Sequence, residues 1–254
     1  MYKLLTLQLF FRSVFLPYSE IGVALIRRLI EKENKQDTTI IAHYNSSRAT
    51  LEEIKEQYND WNIVLIKADL SILQQTRKMI DYIQSLNIEP THIVSLSAGN
   101  FKYTRMSEWN SDLIEKDMNI QVYSFAEIIK AFIPNMARKH YGKIVVMLTA
   151  YTIGIPPKNM SGYVTVKYAL LGLMKSIDSD FGNQGINING ISPGMINTKF
   201  VDGIGRKIKE ITAQKNPKHR NLEVNDVIPT IYMLLSDETE FISGVNINLS
   251  GCSE

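Results

Sequence analysis

Two residues four positions apart, Tyr163 and Lys167, carry the clearest chemistry in this 254-residue sequence. On a helix that spacing stacks both side chains on one face. A free phenol titrates near pKa ~10, too high for efficient proton exchange at neutral pH. An ammonium one turn away favours the phenolate and draws the phenol toward that range. The same ammonium has donors for the hydroxyls of a sugar. The pair therefore offers an acid–base and a ribose clamp. Tyr-x-x-x-Lys also occurs on exposed helix faces with no chemistry, so its surroundings must decide.

Those surroundings alternate between strand-like and helix-like periods. Strands are expected at Leu9 to Val14, Thr38 to His43, Asn62 to Lys67, His92 to Leu96, Lys143 to Leu148, Ile186 to Ile191 and Val245 to Leu249. Helices are expected at Ile21 to Lys32, Ala49 to Tyr58, Leu73 to Leu86, within Ser111 to Lys139, and at Tyr163 to Phe181. Repeated alternation without a linker predicts an α/β protein, a parallel, doubly wound sheet in one domain spanning residues 1–254. Such sheets bind ligands at the carboxyl ends of their strands.

Composition narrows the function. The chain is 44% hydrophobic and 21% charged, with a net charge of +2. That balance implies no general attraction to nucleic acid. The single cysteine, Cys252, excludes an internal disulfide and fits a reducing, cytoplasmic setting. His43, His92, His140 and His219 show no metal-ligand spacing, so no metal is expected. The apolar run Leu4 to Leu16 is interrupted by Arg12, is too short to span a membrane and reads as a first buried strand.

The segment Ser161-Gly162-Tyr163-Val164-Thr165-Val166-Lys167, followed by Ile186 to Ile191 and Ser192-Pro193-Gly194, resembles the short-chain dehydrogenase/reductase family. Within it the 3-oxoacyl-acyl carrier protein reductases are the most similar. The resemblance runs from about Glu20 to Gly251 and implies a Rossmann-like fold. It implies an NADP-dependent reduction of a ketone to a secondary alcohol, with a 3-oxoacyl thioester as first choice and a homotetramer or homodimer as the assembly. An acyl carrier protein-bound or free small-molecule ketone would be the partner.

The resemblance also assigns roles. Tyr163 would protonate the substrate oxygen, and Lys167 would hold the ribose and tune Tyr163. Asn119 would break a helix and hold a relay water. The family pattern Thr-Gly-x-x-x-Gly-x-Gly falls on Phe15 to Gly22, where only the last glycine survives. Ser19, Ile21 and Gly22 remain to meet the cofactor, while Leu16 replaces the first glycine. Asp69 would bind adenine or cap the next helix, with Leu70 beside it. Ser97, Ala98 and Gly99 match the family's Asn-Asn-Ala-Gly, where Leu96 and Ser97 replace the asparagines. Pro193, Gly194, Ile196 and Thr198 would close on the cofactor. The family serine, thirteen residues before the tyrosine, falls on Ala150, and Thr149 can replace it if the loop shifts by one residue.

After the second strand no acidic residue awaits a ribose 2′-hydroxyl, as NAD selectivity would require. Asn45, Ser46 and Arg48 suit a 2′-phosphate, or form a plain polar loop. Residues Met195 to Asn221 match the family's substrate lid and are rich in cations. With Arg138 and Lys139 expected nearby, they suit an acidic carrier protein or a phosphorylated substrate, or are simply a solvated loop-helix. A competing expectation follows from Leu16, Leu96 and Ala150 together: a catalytically impaired homologue serving as a binding or scaffolding subunit.

Overall fold

The computed structural model describes residues 12–17, 19–46, 48–99 and 103–251. The described residues contain seven strands: β1 (Arg12–Pro17), β2 (Thr38–Tyr44), β3 (Asn62–Lys67), β4 (His92–Ser95), β5 (Gly142–Met147), β6 (Ile186–Pro193) and β7 (Asn246–Leu249). They form one sheet in the order β3-β2-β1-β4-β5-β6-β7, and every pairing is parallel. Strand order reverses between β1 and β4. A crevice therefore opens outside their carboxyl ends, where helices peel away to opposite faces.

The helices are α1 (Glu20–Lys32), α2 (Ala49–Gln57), α3 (Leu73–Ser85), α4 (Ser111–Met118), α5 (Ser124–Lys139), α6 (Ser161–Phe181), α7 (Arg206–Lys215) and α8 (Val224–Leu235). Successive strand residues point to opposite faces, and the core follows that rule. Ile41, Ile144 and Val146 face the cluster built with α3, α5 and α6. Ile40, Val145 and Met147 face the cluster built with α1, α2 and α8. Both faces are covered, which is why the strands read as nearly continuous apolar runs. Among the described residues, no helix is long and apolar enough to cross a membrane.

Two departures from the sequence reading matter. The first strand ends later than expected, at Pro17 rather than Val14, with Leu16 paired to Ala42 and Pro17 to His43. Leu9 to Phe11 lie outside the described residues. Leu16 therefore occupies extended strand backbone, not a turn that demands a left-handed residue. The second departure is α8, which the strand-and-helix reading left unassigned. Pro229 lies inside it, removing one backbone donor and obscuring the helical pattern. Its buried Val227, Ile228, Ile231, Leu234 and Leu235 nevertheless form one apolar face.

A turn between α6 and β6 fixes how the helix carrying Tyr163 meets the sheet. Gly185 there has φ of 76°, and a Cβ would lie 2.2 Å from the His140 carbonyl oxygen. Backbone cannot yield as a side chain can. Gly185→Ala should destabilise the protein by about 2 kcal/mol or more. An unchanged urea midpoint for this variant would contradict that packing.

Candidate active site

A cleft of about 390 Å³ opens at the carboxyl ends of the strands, and Tyr163 and Lys167 both line it. They project from the first two turns of α6. Lys167 is almost wholly buried, at 2% exposure. Its ammonium donates to the Met147 carbonyl oxygen at 2.8 Å, at the end of β5. It lies 5.9 Å from the centre of the Tyr163 ring. Burial pushes its pKa down to about 7, against an opposing pull from the Asp117 carboxylate.

Tyr163 moves the other way. Burial pushes the phenol up to about 12, the hydrogen bond with the Thr149 side chain lowers it, and the Tyr151 phenol raises it. The expectation that the ammonium draws the phenol downward is not met in this structure, because loss of water outweighs the hydrogen bond from Thr149. At neutral pH Tyr163 is a protonated donor rather than an acceptor.

Thr149 occupies the place beside the phenol that the sequence reading assigned to it. It is buried and extended, and Ala150–Thr152 form a short 3-10 turn behind it. Thr152 Oγ1 donates to the Thr149 carbonyl at 2.8 Å. Ser192 Oγ, 3.2 Å from Thr152 Oγ1, donates to Asn246 Oδ1 at 2.7 Å. Side chains from β6 and β7 thus brace the loop that presents Thr149. Ala150 carries no hydroxyl, and Thr149 places one beside the Tyr163 phenol.

Asn119 opens a π turn, Asn119–Tyr123, between α4 and α5. Such turns break the regular ladder and recur at functional sites. The Asn119 amide donates to the Ser71 carbonyl at 3.3 Å. Asp117, two residues earlier, is raised by burial and faces Lys167 electrostatically. A Cβ on Gly99 would lie 1.9 Å from Asp117 Oδ1, so glycine leaves room for that carboxylate.

The remaining expected residues divide. Ser19, Ile21, Asn45, Asp69, Leu70, Ser97, Ala98, Pro193, Gly194, Ile196 and Thr198 line the cleft. Gly22, Ser46, Arg48, Gly99 and Asn119 are not among its lining residues. Gly22 lies one turn into α1, where its N–H donates to Ser19 Oγ at 2.9 Å. Arg48 is paired with Glu52 at 2.6 Å and rests 6.0 Å from the Tyr44 ring centre. Asp69 does not cap α3. Its carboxylate instead accepts the Ser71 N–H at 2.9 Å and hydroxyl at 2.7 Å, closing a local turn.

Arg138 and Lys139 are not near the basic lid. They end α5, which runs against the strands, and so lie at the amino edge beside Glu89, 3.7 and 2.5 Å away. Within the lid, Arg206 pairs with Glu210 and Lys209 with Asp202, while Arg220 binds Asp226. Those pairings reduce its free positive charge.

Sequence reasoning missed several cleft residues: Glu20, His43, Tyr103, Tyr151 and Phe200. His43 had a signal, a polar residue at the end of an apolar strand and two positions before Asn45. Tyr103, Tyr151 and Phe200 come from irregular segments with no period to read. Phe200 reaches the site across the fold, its ring centre 6.4 Å from that of Tyr163.

The family model for enoyl-(acyl carrier protein) reductase matches residues 21–251. The chain belongs to the short-chain dehydrogenase/reductase family. Short-chain dehydrogenase/reductases are oxidoreductases that use a nicotinamide dinucleotide. The chain is 24% identical over 226 residues to an NADPH-dependent aldehyde reductase-like protein, chloroplastic, of Arabidopsis thaliana, covering 84% of this chain and 83% of the relative. It is likewise 24% identical over 226 residues to a 3-oxoacyl-(acyl-carrier-protein) reductase of Buchnera aphidicola, covering 87% and 89%. Among solved structures, a gluconate 5-dehydrogenase from Burkholderia cenocepacia, in complex with NADP and tartrate, superposes with a TM-score of 0.82. That match has 18% identity and covers 94% of each chain; it establishes a shared short-chain dehydrogenase fold.

The buried ammonium should cost stability. Between about pH 7 and the ordinary 10.5 the folded protein holds one proton fewer than the unfolded chain at Lys167, so stability rises with pH across that window and is lowest below it. Lys167→Met should raise the thermal midpoint at pH 6 by about 2–4 °C while abolishing turnover. A lowered midpoint at that pH would show that the ammonium stabilises the fold.

Proposed function

We propose that this protein is an NADP-dependent ketoreductase acting on a 3-oxoacyl thioester or a closely related ketone. The observation that carries the reading is the hydrogen-bonded Thr149–Tyr163 pair standing over buried Lys167 inside one cleft. Support for a nicotinamide cofactor of the phosphorylated type comes from the relatives named above. The substrate class follows the 3-oxoacyl-(acyl-carrier-protein) reductase relative.

The cleft suits such a group. His43 Nε2 donates to the Ala68 carbonyl at 2.8 Å, which leaves Nδ1 as an acceptor. Nδ1 is buried with no hydrogen-bond partner, in the wall of the cleft. An orphaned polar atom there costs about 1–3 kcal/mol unless a ligand meets it. The first-turn N–H groups of α1 suit a phosphate.

In this reading Ser19, Ile21 and Gly22 hold the diphosphate, with Pro193, Gly194, Ile196 and Thr198 opposite. Asn45, Ser46 and Arg48 take the 2′-phosphate once Arg48 releases Glu52. Asp69, Leu70, Ser97, Ala98 and Gly99 flank the adenosine. The cofactor, when bound, supplies hydride to the carbonyl carbon. Tyr163 holds the proton that the carbonyl oxygen receives, and Thr149 orients that oxygen by a second hydroxyl. Lys167 clamps the ribose hydroxyls, and Asn119 supports the proton relay. A dimer or tetramer belongs to the same reading, supported by the exposed Leu113 and Tyr123 along α4 and the π turn.

NADPH fluorescence should quench saturably on titration with the protein. No response at millimolar cofactor would overturn the reading in favour of a non-catalytic subunit. Tyr163→Phe should lower kcat by roughly 10³ with NADPH affinity unchanged. The pH profile of kcat/KM, which reports the free enzyme, should fall as pH rises through about 7 and Lys167 loses its charge. A profile flat from pH 6 to 9 contradicts the ribose-clamp role.

A further inference from the structure

The mouth of the cleft is tied across by a carboxylate. Glu20 opens α1, and its Oε2 accepts the backbone N–H of Lys199 at 2.8 Å, from 179 residues away in the chain. Both residues line the cleft, beside Ser19, Gly194 and Thr198. Lys199 begins a short 3-10 turn, Lys199–Val201. That turn carries Phe200 against the Tyr163 ring. The bond from Glu20 thus holds the segment that covers the reacting pair.

The start of α1 favours a negative group for two reasons. Its first N–H groups lack acceptors within the helix, and its dipole is positive there. Ser19 Oγ takes the Gly22 N–H. Glu20 supplies the negative charge and adds the Lys199 amide as a donor from across the cleft. A diphosphate laid along the same helix start would lie close to that carboxylate, and the two anions would repel.

We propose that Glu20 is an internal stand-in for the cofactor diphosphate. In the free protein its carboxylate holds the Lys199 N–H and latches residues 198–201 over the cleft. A dinucleotide must displace that carboxylate to bind, so Glu20 sets cofactor affinity and couples binding to movement of the Phe200 turn. The inference rests on the reading of this cleft as a dinucleotide site.

The test compares wild type with Glu20→Ala and Glu20→Gln, each confirmed folded by its thermal midpoint. NADPH affinity is read by fluorescence titration, and exchange of the Lys199 amide by NMR. Glu20→Ala should tighten NADPH binding on the order of tenfold, with Glu20→Gln in between because it keeps an acceptor without the charge. The Lys199 amide should exchange at least roughly tenfold faster in Glu20→Ala than in wild type. Equal NADPH affinity in all three proteins, or a Lys199 amide indifferent to residue 20, overturns the latch alone. Binding by none of the three overturns the dinucleotide reading, and the latch falls with it.

Discussion

The site depends on keeping one ammonium out of water. Lys167 lies beneath the cleft floor, with the Met147 carbonyl as its hydrogen-bond acceptor and the Asp117 carboxylate as its electrostatic counterweight. An ammonium so placed gives up hydration that a single carbonyl only partly replaces. The fold tolerates this because β5 ends at Met147 and α6 lies directly above. Tyr163 is then set one turn away, and the same loss of water that lowers the lysine raises the phenol. The pair is thereby poised with a proton on oxygen and a weakly held charge on nitrogen, an arrangement suited to donating a proton to a carbonyl.

Much of the fold was legible because both sheet faces are covered. Strands buried on two sides must be apolar along their length; β3, the half-exposed edge strand, was bounded correctly as well. β2, β4, β5 and β6 were found within a residue or two at their ends. The first strand was ended too early, at Val14 instead of Pro17, since Arg12 and Ser13 break the apolar pattern just before its last residues. Its register is set by pairing with β2, a contact between distant positions. The last helix escaped because Pro229 interrupts it, and tertiary burial of Ile231 and Leu235 outweighs the lost backbone bond.

The site was legible where chemistry is local. Tyr163 and Lys167 announce themselves by helical spacing. The substitution of Thr149 for a serine expected at Ala150 could be named, but only Thr152, Ser192 and Asn246 show how the loop is held. Contacts across the fold were out of reach: Glu20 with Lys199, Phe200 with Tyr163, and His43 with Ala68. Arg138 and Lys139 were assigned to the wrong edge because counting residues does not reveal which way a helix runs against its sheet. Three of the lid's cations are held in ion pairs, so composition alone overstates the charge it offers a partner.

The account stands on the ionisation of one side chain, and carbon-13 NMR of ε-labelled lysines reads it directly. A single lysine in the free protein should titrate with a midpoint near 7, and that resonance should be missing from a Lys167→Met spectrum. If every lysine titrates above about pH 9, within the ordinary range, the ammonium is hydrated, and the electrostatic basis assigned to this site is wrong.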